Sequence, residues 1–559
     1  MFLRTDTGSA TSHYAMVPKI SRQRNQFSIS EKHVTTCQFD GPYPINWKFI
    51  YPGDTLSIKH QIMARLTTQV SDLFDDLYFD LHAWYVPMRL LQTNWARYQF
   101  NAQPGGYHQD NSALTSPKID LNTLPIITTG QKGFAAKSTY DYFGFPTNTI
   151  ASTNTDILDN EHINNYLGRC YNLIWNENYR DQNLQDPVTV DLDDGPDNYT
   201  DYDNILPRGK RHDLWTSALP FLQKGDPVGA PITGTAPVTG IGKVNGNFSI
   251  GSQSNIREST GQTATYSTSS FIDGTSGDNA YAVKGTAVTG GYPQIFADMT
   301  VGLSYMLINS LRLSVAVQQL LEADARGGTR DVESISHRWG VQVPDFRIQR
   351  PEYLGGQTFS FDGHVVPSTA GYNDGIDDIP QGHLTAFSQS MNSMNVTHSF
   401  VEHGIFMILL SLRSNLTYQQ GLWRELSHQT RLDWYQPEFS NIGEQSMLGK
   451  EIEFTNIATD NNTAFGYQEY GYWLRYGMNR VSAEMRLSYA QSKDYKHMAE
   501  DYGGVRPNLN AAWIQSSTPI DRNITVSSSL ADPVEINSLM SGTIARTLPM
   551  YSVPGLTRI

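Results

Sequence analysis

The sequence predicts a mainly β protein, a β-sandwich whose strands are separated by very long insertions. Short segments rich in β-branched and aromatic residues recur along the chain and are bounded by glycine, proline and asparagine turns. Long polar connections, dense in Asn, Asp, Gly and Pro, lie between these segments. No repeat period is evident, which argues against a solenoid or a propeller.

The clearest predicted strands lie in the first part of the chain. Residues 55–66 follow a turn at 51–54, where proline and glycine supply the turn dihedrals. In residues 77–87 the first five odd positions are apolar, whereas Asp80 and His82 lie on the other face, which is the alternation of a half-buried strand. Three further strand candidates lie downstream, at 398–415, 471–481 and 521–529.

One long helix is predicted over residues 310–328. The apolar side chains that share one stripe of this helix are Leu313, Ala316 or Val317, Leu320 and Leu321. The two glycines at Gly327 and Gly328 are expected to end the helix as C-terminal caps. A second, shorter helix is predicted within residues 328–340, with Asp331 as its N-cap.

The composition bounds the class of function. Hydrophobic residues make up 39% of the 559 residues and aromatic residues 11%, which supplies ample material for a core. Charged residues are only 17%, below the roughly 25% of ordinary soluble proteins, and this fits a surface partly hidden by neighbouring chains. The net charge of −14 argues against a protein wholly devoted to nucleic acid, although it allows a local basic patch.

The cysteine usage and the apolar runs predict a soluble protein without a disulfide framework. Cys37 and Cys170 are too few for such a framework and are expected to be buried, inert thiols. The N-terminal stretch lacks the apolar segment of a signal peptide. The longest apolar run, 405–412, is much shorter than the roughly 20 residues of a membrane helix, so we expect a buried strand and no membrane insertion.

A low-complexity insertion occupies residues 229–292. It consists mostly of Gly, Ser, Thr and Asn, with few charges and scattered large apolar residues. Ordering its backbone costs about 1–2 kcal/mol per residue, whereas each buried large apolar side chain returns only about 2 kcal/mol. We therefore expect the insertion either to stay mobile or to be ordered by copies from neighbouring subunits.

The chain carries none of the common catalytic motifs, because G-x-S-x-G, H-E-x-x-H, C-x-x-C and the phosphate-binding P-loop are all absent. No enzymatic activity and no cofactor are therefore expected. The acidic run 191–204 has the composition of a calcium loop, but Gly195 falls one residue early after Asp191 and no glutamate closes the loop. A solvated acidic loop is the favoured interpretation, with an ion site as the alternative.

Two basic runs are candidates for contact with nucleic acid or with another subunit. The run 207–213 is favoured as a solvated turn, with phosphate contact or an intersubunit salt bridge as the alternative. The run 19–27 either follows a nucleic-acid backbone or packs on a neighbouring chain. The candidate contact residues of the two runs are Lys19, Arg22, Arg24, Arg208, Lys210 and Arg211.

Motifs along most of the chain resemble those of one protein family. They are PGDTL (52–56), VPMRLLQTNW (86–95), YNLIWNENYRDQNLQDPV (171–188), LPRGKRHDLWTSALPFLQKG (206–225), VPDFRIQRPEYLGG (343–356), SFVEHGIFMILLSLRSNLTYQQGL (399–422), FSNIGEQ (439–445), FGYQE (465–469) and PMYSVPGL (549–556). In this order they resemble the major capsid proteins of microviruses, in the gokushovirus group of small single-stranded DNA bacteriophages.

The resemblance implies a fold and a set of partners. It implies a single eight-stranded antiparallel jelly-roll barrel over residues 51–559, with long insertions, a few helices and an N-terminal arm at 1–50. Sixty copies would form a T=1 icosahedral shell, through pentamers, around circular single-stranded DNA. A small basic DNA-packaging protein and a DNA pilot protein would accompany the shell, and assembly in the cytoplasm of the bacterial host would yield the virion.

The same resemblance gives the low-complexity insertion a role. In the gokushovirus group a protruding loop lies at this place and clusters at the threefold axes of the shell. Such a loop is expected to contact a receptor on the host cell surface, since an apolar, uncharged tip suits that contact. The residues expected to make it are Phe248, Ile250, Tyr266 and Phe271.

The residues alone leave a competing class of function open. A carbohydrate-binding or glycan-hydrolysing β-sandwich, such as a phage adhesin, would also be rich in aromatic residues and acidic loops. Hydrolysis would require two carboxylates that face one cleft. The sequence singles out no such pair.

Overall fold

The structure is a computed structural model that describes residues 23–551 with internal gaps. The stretches outside the described residues are 101–115, 121–125, 129–130, 148–149, 152–161, 227, 229–235, 239–271, 275–277, 281–294, 298–307, 329, 348, 362–364, 368, 370, 374–377, 380–383 and 388–389. The chain divides into two compact units, one formed by residues 1–222 and 327–559 and the other by residues 223–326.

Eight long strands of the first unit form two four-stranded antiparallel sheets. In chain order they are β1 (Asn25–Cys37), β2 (Tyr43–Ile50), β3 (Thr55–Leu66), β4 (Leu77–Pro87), β5 (Glu352–Phe361), β6 (Ser390–Ser399), β7 (Gly404–Ser414) and β8 (Val534–Arg546). Sheet 1 has the order β1–β8–β3–β6, and sheet 2 has the order β5–β4–β7–β2. The prediction of a mainly β protein is confirmed, and the strands predicted at 55–66 and 77–87 have the expected bounds.

Helices and short strands occupy the connections between the eight long strands. The α-helices are α1 (Trp95–Phe100), α2 (Thr139–Tyr142), α3 (Tyr166–Asn178), α4 (Ile308–Gly327), α5 (Asp331–Trp339), α6 (Ala458–Asn462) and α7 (Ala511–Ile514). Short strands lie at Ile126–Thr128, Gln131–Lys132, Ile150–Ala151, Ala236–Val238, Ile272–Gly274, Asp278–Ala280, Ile295–Ala297, Val365–Pro367, Tyr372–Asn373, Asp378–Ile379, Leu384–Phe387, Glu444–Leu448 and Ala464–Glu469. Single 3₁₀ turns lie at Met88–Leu90, Tyr199–Asp201, Arg424–Ser427, Arg431–Asp433, Pro437–Phe439, Gly449–Glu451, Tyr472–Leu474, Ala483–Met485, Asp494–Lys496 and Ile520–Arg522.

Strand β7 is buried on both of its faces. Its even positions from Phe406 to Leu412 belong to the core between the two sheets. Ile405, Met407 and Leu409 belong to a second core on the outer side of sheet 2. A strand that is covered on both faces has no polar side to display, which explains its almost unbroken apolar run. The prediction of a buried strand here is confirmed.

The second core is covered by the connection between β4 and β5. Helix α3 contributes Leu167, Cys170 and Ile174 to it, and all three side chains are buried. Cys37 lies in the first core, and burial raises the pKa of both thiols above the ordinary value. The prediction of buried, inert cysteines is therefore confirmed.

A third core lies between the β7–β8 connection and residues 214–218 of the β4–β5 connection. It gathers aromatic and aliphatic side chains from loops and short turns, including Tyr418, Tyr472, Trp473 and Trp513.

Among the described residues, no helix combines the length and the apolarity needed to cross a lipid bilayer.

Two of the predicted strands are wrong, and the candidate at 398–415 is divided between β6, which ends at Ser399, and β7, which begins at Gly404. At 471–481 the backbone enters a left-handed turn at Gly471, with φ of 77°, and continues as the 3₁₀ turn Tyr472–Leu474. Tyr472 and Trp473 fill the third core and Tyr476 is exposed, so the aromatic spacing reflects loop packing instead of strand alternation. Residues 521–529 form turns, and the last strand of the sandwich is β8, further along the chain.

The boundary predicted for the N-terminal arm, at residue 50, is also wrong. Strands β1 and β2 already belong to the two sheets, and Asn25 on β1 lies opposite Arg546 on β8. Residues 25–37 and 43–50 therefore belong to the sandwich and not to an arm. Residues 1–22 lie outside the described part of the chain.

Both predicted helices are present. The long helix is α4, and its stripe residues Leu313 and Leu320 are 65% and 45% exposed. The shorter helix is α5, but its N-cap is Arg330 and not Asp331. The Arg330 backbone N–H donates to the Glu333 carboxylate at 3.3 Å, which satisfies one of the free donors at the start of the helix.

A buried polar contact joins the two sheets. His60 Nε2 on β3 lies 2.8 Å from Asn46 Oδ1 on β2 and 2.8 Å from Ser538 Oγ on β8. Burial, and next the proximity of His33, lowers the pKa of His60 to about 4. The imidazole is therefore neutral at neutral pH, and folding favours its neutral form.

Substitution of His60 should remove an acid-dependent loss of stability. Because the pKa of about 4 in the folded chain lies below the ordinary 6.5, the stabilisation is complete above pH 6.5 and is lost as the pH falls toward 4. Between pH 7 and pH 5, the free energy of unfolding from urea titrations should fall by about 2 kcal/mol more in the wild type than in His60→Gln. The exposed His212, replaced as His212→Gln, is the matched control. Equal pH dependence in His60→Gln and the wild type would contradict this account.

Candidate functional surfaces

Two basic side chains of the run 207–213, Arg208 and Lys210, are neutralised inside the folded chain. Arg208 Nη1 lies 2.7 Å and Arg413 Nη2 lies 2.8 Å from the same carboxylate oxygen of Asp80, on the outer side of sheet 2. Thr358 donates a third hydrogen bond to the other oxygen, at 2.7 Å. Burial alone would raise the pKa of Asp80, but the two guanidinium groups outweigh it and lower the pKa to about 2. The carboxylate is thus permanently charged at neutral pH.

Lys210 and Arg211 also have partners within the chain. The side chain of Lys210 is only 3% exposed; its Nζ lies 3.1 Å from Glu500 and 4.6 Å from the ring centre of Trp513. The guanidinium of Arg211 lies 3.9 Å from the ring centre of Tyr78. These are stabilising cation–π contacts.

These contacts correct the favoured interpretation of the run 207–213. It is not a solvated turn, because Arg208 and Lys210 are held in the interior by carboxylates. Their side chains serve the subunit itself and offer no free charge to a phosphate or to another chain. The same contacts correct the description of β4 as half-buried, since its polar face at Asp80 is closed by arginines.

The acidic run 191–204 is only partly a solvated loop. Asp193 is 78% exposed, but the Asp197 side chain is fully buried against Arg169, which is itself fully buried. Arg169 Nη2 lies 2.5 Å from Asp197 Oδ1, and its Nε donates to Asp197 Oδ2 at 2.7 Å. Asn165 Nδ2 donates to the same Oδ2 atom at 2.7 Å. This bidentate pair fixes the loop on helix α3.

A further buried ion pair supports the connection between β7 and β8. Arg424 Nη1 lies 3.2 Å from Glu451 Oε1 and donates to the Tyr472 hydroxyl at 2.8 Å. The Tyr472 hydroxyl in turn donates to the Glu451 carboxylate, whose side chain is fully buried. The Arg424 guanidinium also lies 5.0 Å from the ring centre of Trp473.

Large apolar side chains are exposed along the same connection. We call them the aromatic patch: Leu426, Trp434, Tyr435, Leu474 and Tyr476, which are 39–74% exposed. The His428 ring lies 5.0 Å from Trp434 and 5.8 Å from Trp473, so it links the patch to the third core. Tyr435 stacks on Tyr470 at 5.4 Å. An exposed apolar group on a rigid base is typical of a protein–protein contact.

The remaining predicted site residues lie in the N-terminal run and in the low-complexity insertion. Arg24 is described, is exposed, and donates from Nη2 to Thr55 Oγ1 at 2.6 Å. The others lie outside the described residues: Lys19, Arg22, Phe248, Ile250, Tyr266 and Phe271.

Comparison with known proteins identifies the family. The phage capsid protein (F protein) family matches residues 15–556. The chain belongs to this capsid protein family. It is 38% identical to capsid protein VP1 of Bdellovibrio phage phiMH2K, over 92% of each chain. It is 33% identical to capsid protein VP1 of Chlamydia phage 1 over 98% of each chain, and 30% identical to capsid protein VP1 of Spiroplasma virus 4 over 96%.

Membership decides between the two classes of function. The chain is a structural capsid protein and not an enzyme, so the resemblance to microvirus major capsid proteins is confirmed. The glycan-hydrolysing alternative is set aside. The features that matter are therefore surfaces that meet other molecules, and not a catalytic cleft.

Sequence reasoning did not find the aromatic patch. Its side chains come from two stretches, 426–435 and 474–476, which read separately as polar loops with occasional aromatic residues. The signal that could have located it is the density of Trp, Tyr and Leu in a connection that is not strand-like. Whether such residues are buried or exposed depends on the third core beneath them.

The ion pair of Arg169 gives a matched test of buried and exposed carboxylates. Asp197→Ala leaves a fully buried guanidinium without its bidentate partner, so the free energy of unfolding should fall by about 3–5 kcal/mol. Asp193→Ala removes a carboxylate that lies 3.3 Å from the same guanidinium but is 78% exposed, and it should cost less than about 1 kcal/mol. Urea titration measures both, and similar losses for the two variants would refute the argument.

Proposed function

We propose that copies of this capsid protein close into a T=1 icosahedral shell of sixty subunits, through pentamers, around circular single-stranded DNA. The family membership supports a shell, and closed symmetry prevents repeated contacts between identical subunits from growing into fibres. The observation that carries the proposal is the aromatic patch, since a single chain leaves these side chains facing water on a rigid base.

We propose that the sandwich of this subunit is an eight-stranded jelly roll. The strand orders β1–β8–β3–β6 and β5–β4–β7–β2 support this, because the chain changes sheet at every connection except β4–β5. Two interleaved Greek keys of this kind build the jelly rolls of viral capsids and lectins.

The aromatic patch is the proposed contact with a neighbouring copy. Aromatic side chains at the centre of an interface carry most of its binding energy when they are already rigid in the free protein. The ion pair of Arg424 and Glu451 supplies that rigidity here.

The low-complexity insertion at 229–292 is the proposed protrusion at the threefold axes. Three copies would share apolar residues that one copy could not bury alone, and the tip, with Phe248, Ile250, Tyr266 and Phe271, would contact a receptor on the host cell. The composition of the insertion supports this role.

Other polypeptides complete the proposed particle. A small basic DNA-packaging protein would neutralise much of the genome, which fits a shell subunit of charge −14. A DNA pilot protein would enter the same virion, and assembly would take place in the cytoplasm of the bacterial host. Lys19, Arg22, Arg24 and Arg211 remain proposed contacts with DNA or with another subunit.

Charge placed in the aromatic patch should block assembly. Trp434→Asp and Leu426→Asp each put a carboxylate where an apolar contact is proposed, and the loss of a central anchor costs about 2 kcal/mol or more. We expect roughly a 30-fold or greater loss in association, measured by analytical ultracentrifugation and electron microscopy, with an unchanged melting temperature. Leu192→Asp, at a 45% exposed leucine of the acidic run, is the control. Normal shells from the two patch variants would exclude this contact.

Removal of the insertion should separate adsorption from assembly. Replacement of residues 229–292 by a short Gly-Ser loop should leave the shell intact, because loop length affects closure entropy by only about 1–2 kcal/mol. Particles that carry the replacement should lose adsorption to cells of the bacterium that the phage infects, as counted by plaque and cell-binding assays. Wild-type adsorption by such particles would disprove the receptor role.

A further inference from the structure

The outer side of sheet 1 is largely an exposed polar surface, which described segments meet at its Thr36 end, where Thr36 Oγ1 donates to Asp532. Along β1 the exposed positions alternate with half-buried ones, and along β3 the exposed and half-buried positions alternate with buried ones. By contrast, the outer side of sheet 2 lies beneath helix α3 and the second core. The sandwich therefore has one covered flank and one open flank.

The strand register defines the members of this open flank. On β1 they run along Gln26, Ser28, Ser30, Lys32, Val34 and Thr36, and on β8 along Ala545, Thr543, Ser541, Leu539, Asn537 and Glu535. On β3 they run along Thr55, Ser57, Lys59, Gln61, Met63 and Arg65, and on β6 along Ser399, Thr397, Asn395, Ser393 and Met391. We call this set the hydroxyl face, because serine and threonine side chains dominate it.

The charge of the hydroxyl face is opposite to that of the whole chain. Lys32 and Lys59 are exposed and form no ion pair among the described residues. Arg24 reaches the same face through its hydrogen bond to Thr55. The carboxylate of the face, Glu535, is paired with Arg65 at 2.6 Å. A chain of net charge −14 thus presents a surface with three free cations.

The polar groups of the face are arranged for a flexible polyanion. Ordinary strand spacings put the Lys32 and Lys59 positions about 12 Å apart. Between and around them lie hydroxyl groups that already pair across strands, such as Ser57 with Thr397 at 3.0 Å. Serine, threonine, asparagine, glutamine and lysine side chains are the usual donors to phosphate oxygens.

The composition disfavours another protein chain as the occupant. The face has no cluster of aromatic anchors comparable to the aromatic patch, and its exposed apolar members are mainly Val34 and Met391. A protein interface is typically depleted in serine and lysine at its centre. A basic packaging protein would in addition be repelled by the free cations.

We propose that the hydroxyl face binds the phosphate backbone of single-stranded DNA without regard to sequence. The free cations neutralise phosphates, the hydroxyl and amide groups donate to the remaining phosphate oxygens, and Val34 and Met391 offer apolar contact to bases. This inference rests on the proposed shell and adds to it the side of the sandwich that faces the genome.

The test measures binding of the purified chain to a fluorescein-labelled oligothymidylate by anisotropy at several salt concentrations. If Arg24, Lys32 and Lys59 each neutralise one phosphate, a rise from 50 to 200 mM NaCl should weaken wild-type binding about 18-fold. In the double variant Lys32→Gln/Lys59→Gln the same rise should weaken binding only about threefold. Both substitutions are on exposed side chains, so the melting temperature should not change.

A matched control removes two exposed arginines elsewhere. Arg347→Gln/Arg480→Gln changes the net charge by the same amount and should retain the 18-fold salt effect. Three results would overturn the inference: no binding by the wild type at 50 mM NaCl, an unchanged salt dependence in the lysine variant, or an equal loss in the control variant.

Electron microscopy of the same proteins keeps this test separate from the proposed shell. Wild-type shells together with an unchanged salt dependence in the lysine variant would reject the hydroxyl face and leave the shell intact. Failure of the wild type to form shells would reject the shell, whereas the anisotropy data would still decide whether the face binds single-stranded DNA.

Discussion

The burial of strand β7 on both sides is the constraint on which the rest of the subunit depends. Every side chain from Ile405 to Leu410 is removed from water, and no polar face remains to be solvated. Sheet 1 must therefore cover one side of the strand, and the long β4–β5 connection must cover the other with α3. The length of that connection has a structural reason, since a bare two-sheet sandwich would leave the outer side of β7 exposed.

The covering segments explain where the charges of the chain are used. Arg208 and Arg413 meet Asp80 between sheet 2 and its cover, and Arg169 meets Asp197 beneath the acidic run. Buried ion pairs of this kind add specificity to a fit that apolar contact alone would leave loose. They also withdraw charge from the surface. The two exposed regions differ in composition, because the aromatic patch on the β7–β8 connection is apolar and the hydroxyl face on sheet 1 is rich in serine and threonine.

The sequence allowed prediction of those strands and helices whose apolar pattern lies within one continuous stretch. The alternation in β4, the apolar run of β7 and the stripe of α4 each define their element within one stretch of sequence. At 471–481 the same aromatic spacing serves a loop core, and the sequence holds no local signal for that difference. The partners of Arg208 and Lys210 lie far away in sequence, at Asp80 and Glu500. The run 207–213 therefore has the local sequence of a solvated turn, although these two side chains are buried in ion pairs.

The pairing of β1 with β8 has a consequence for synthesis. Residues 25–37 find their neighbours in sheet 1 only at residues 534–546, so translation must pass residue 546 before the sheet can close. Such distant pairing slows folding, and it also acts as a checkpoint. A prematurely terminated translation product lacks β8, the strand that lies between β1 and β3. Such a product cannot complete sheet 1 and therefore cannot take the fold of the subunit.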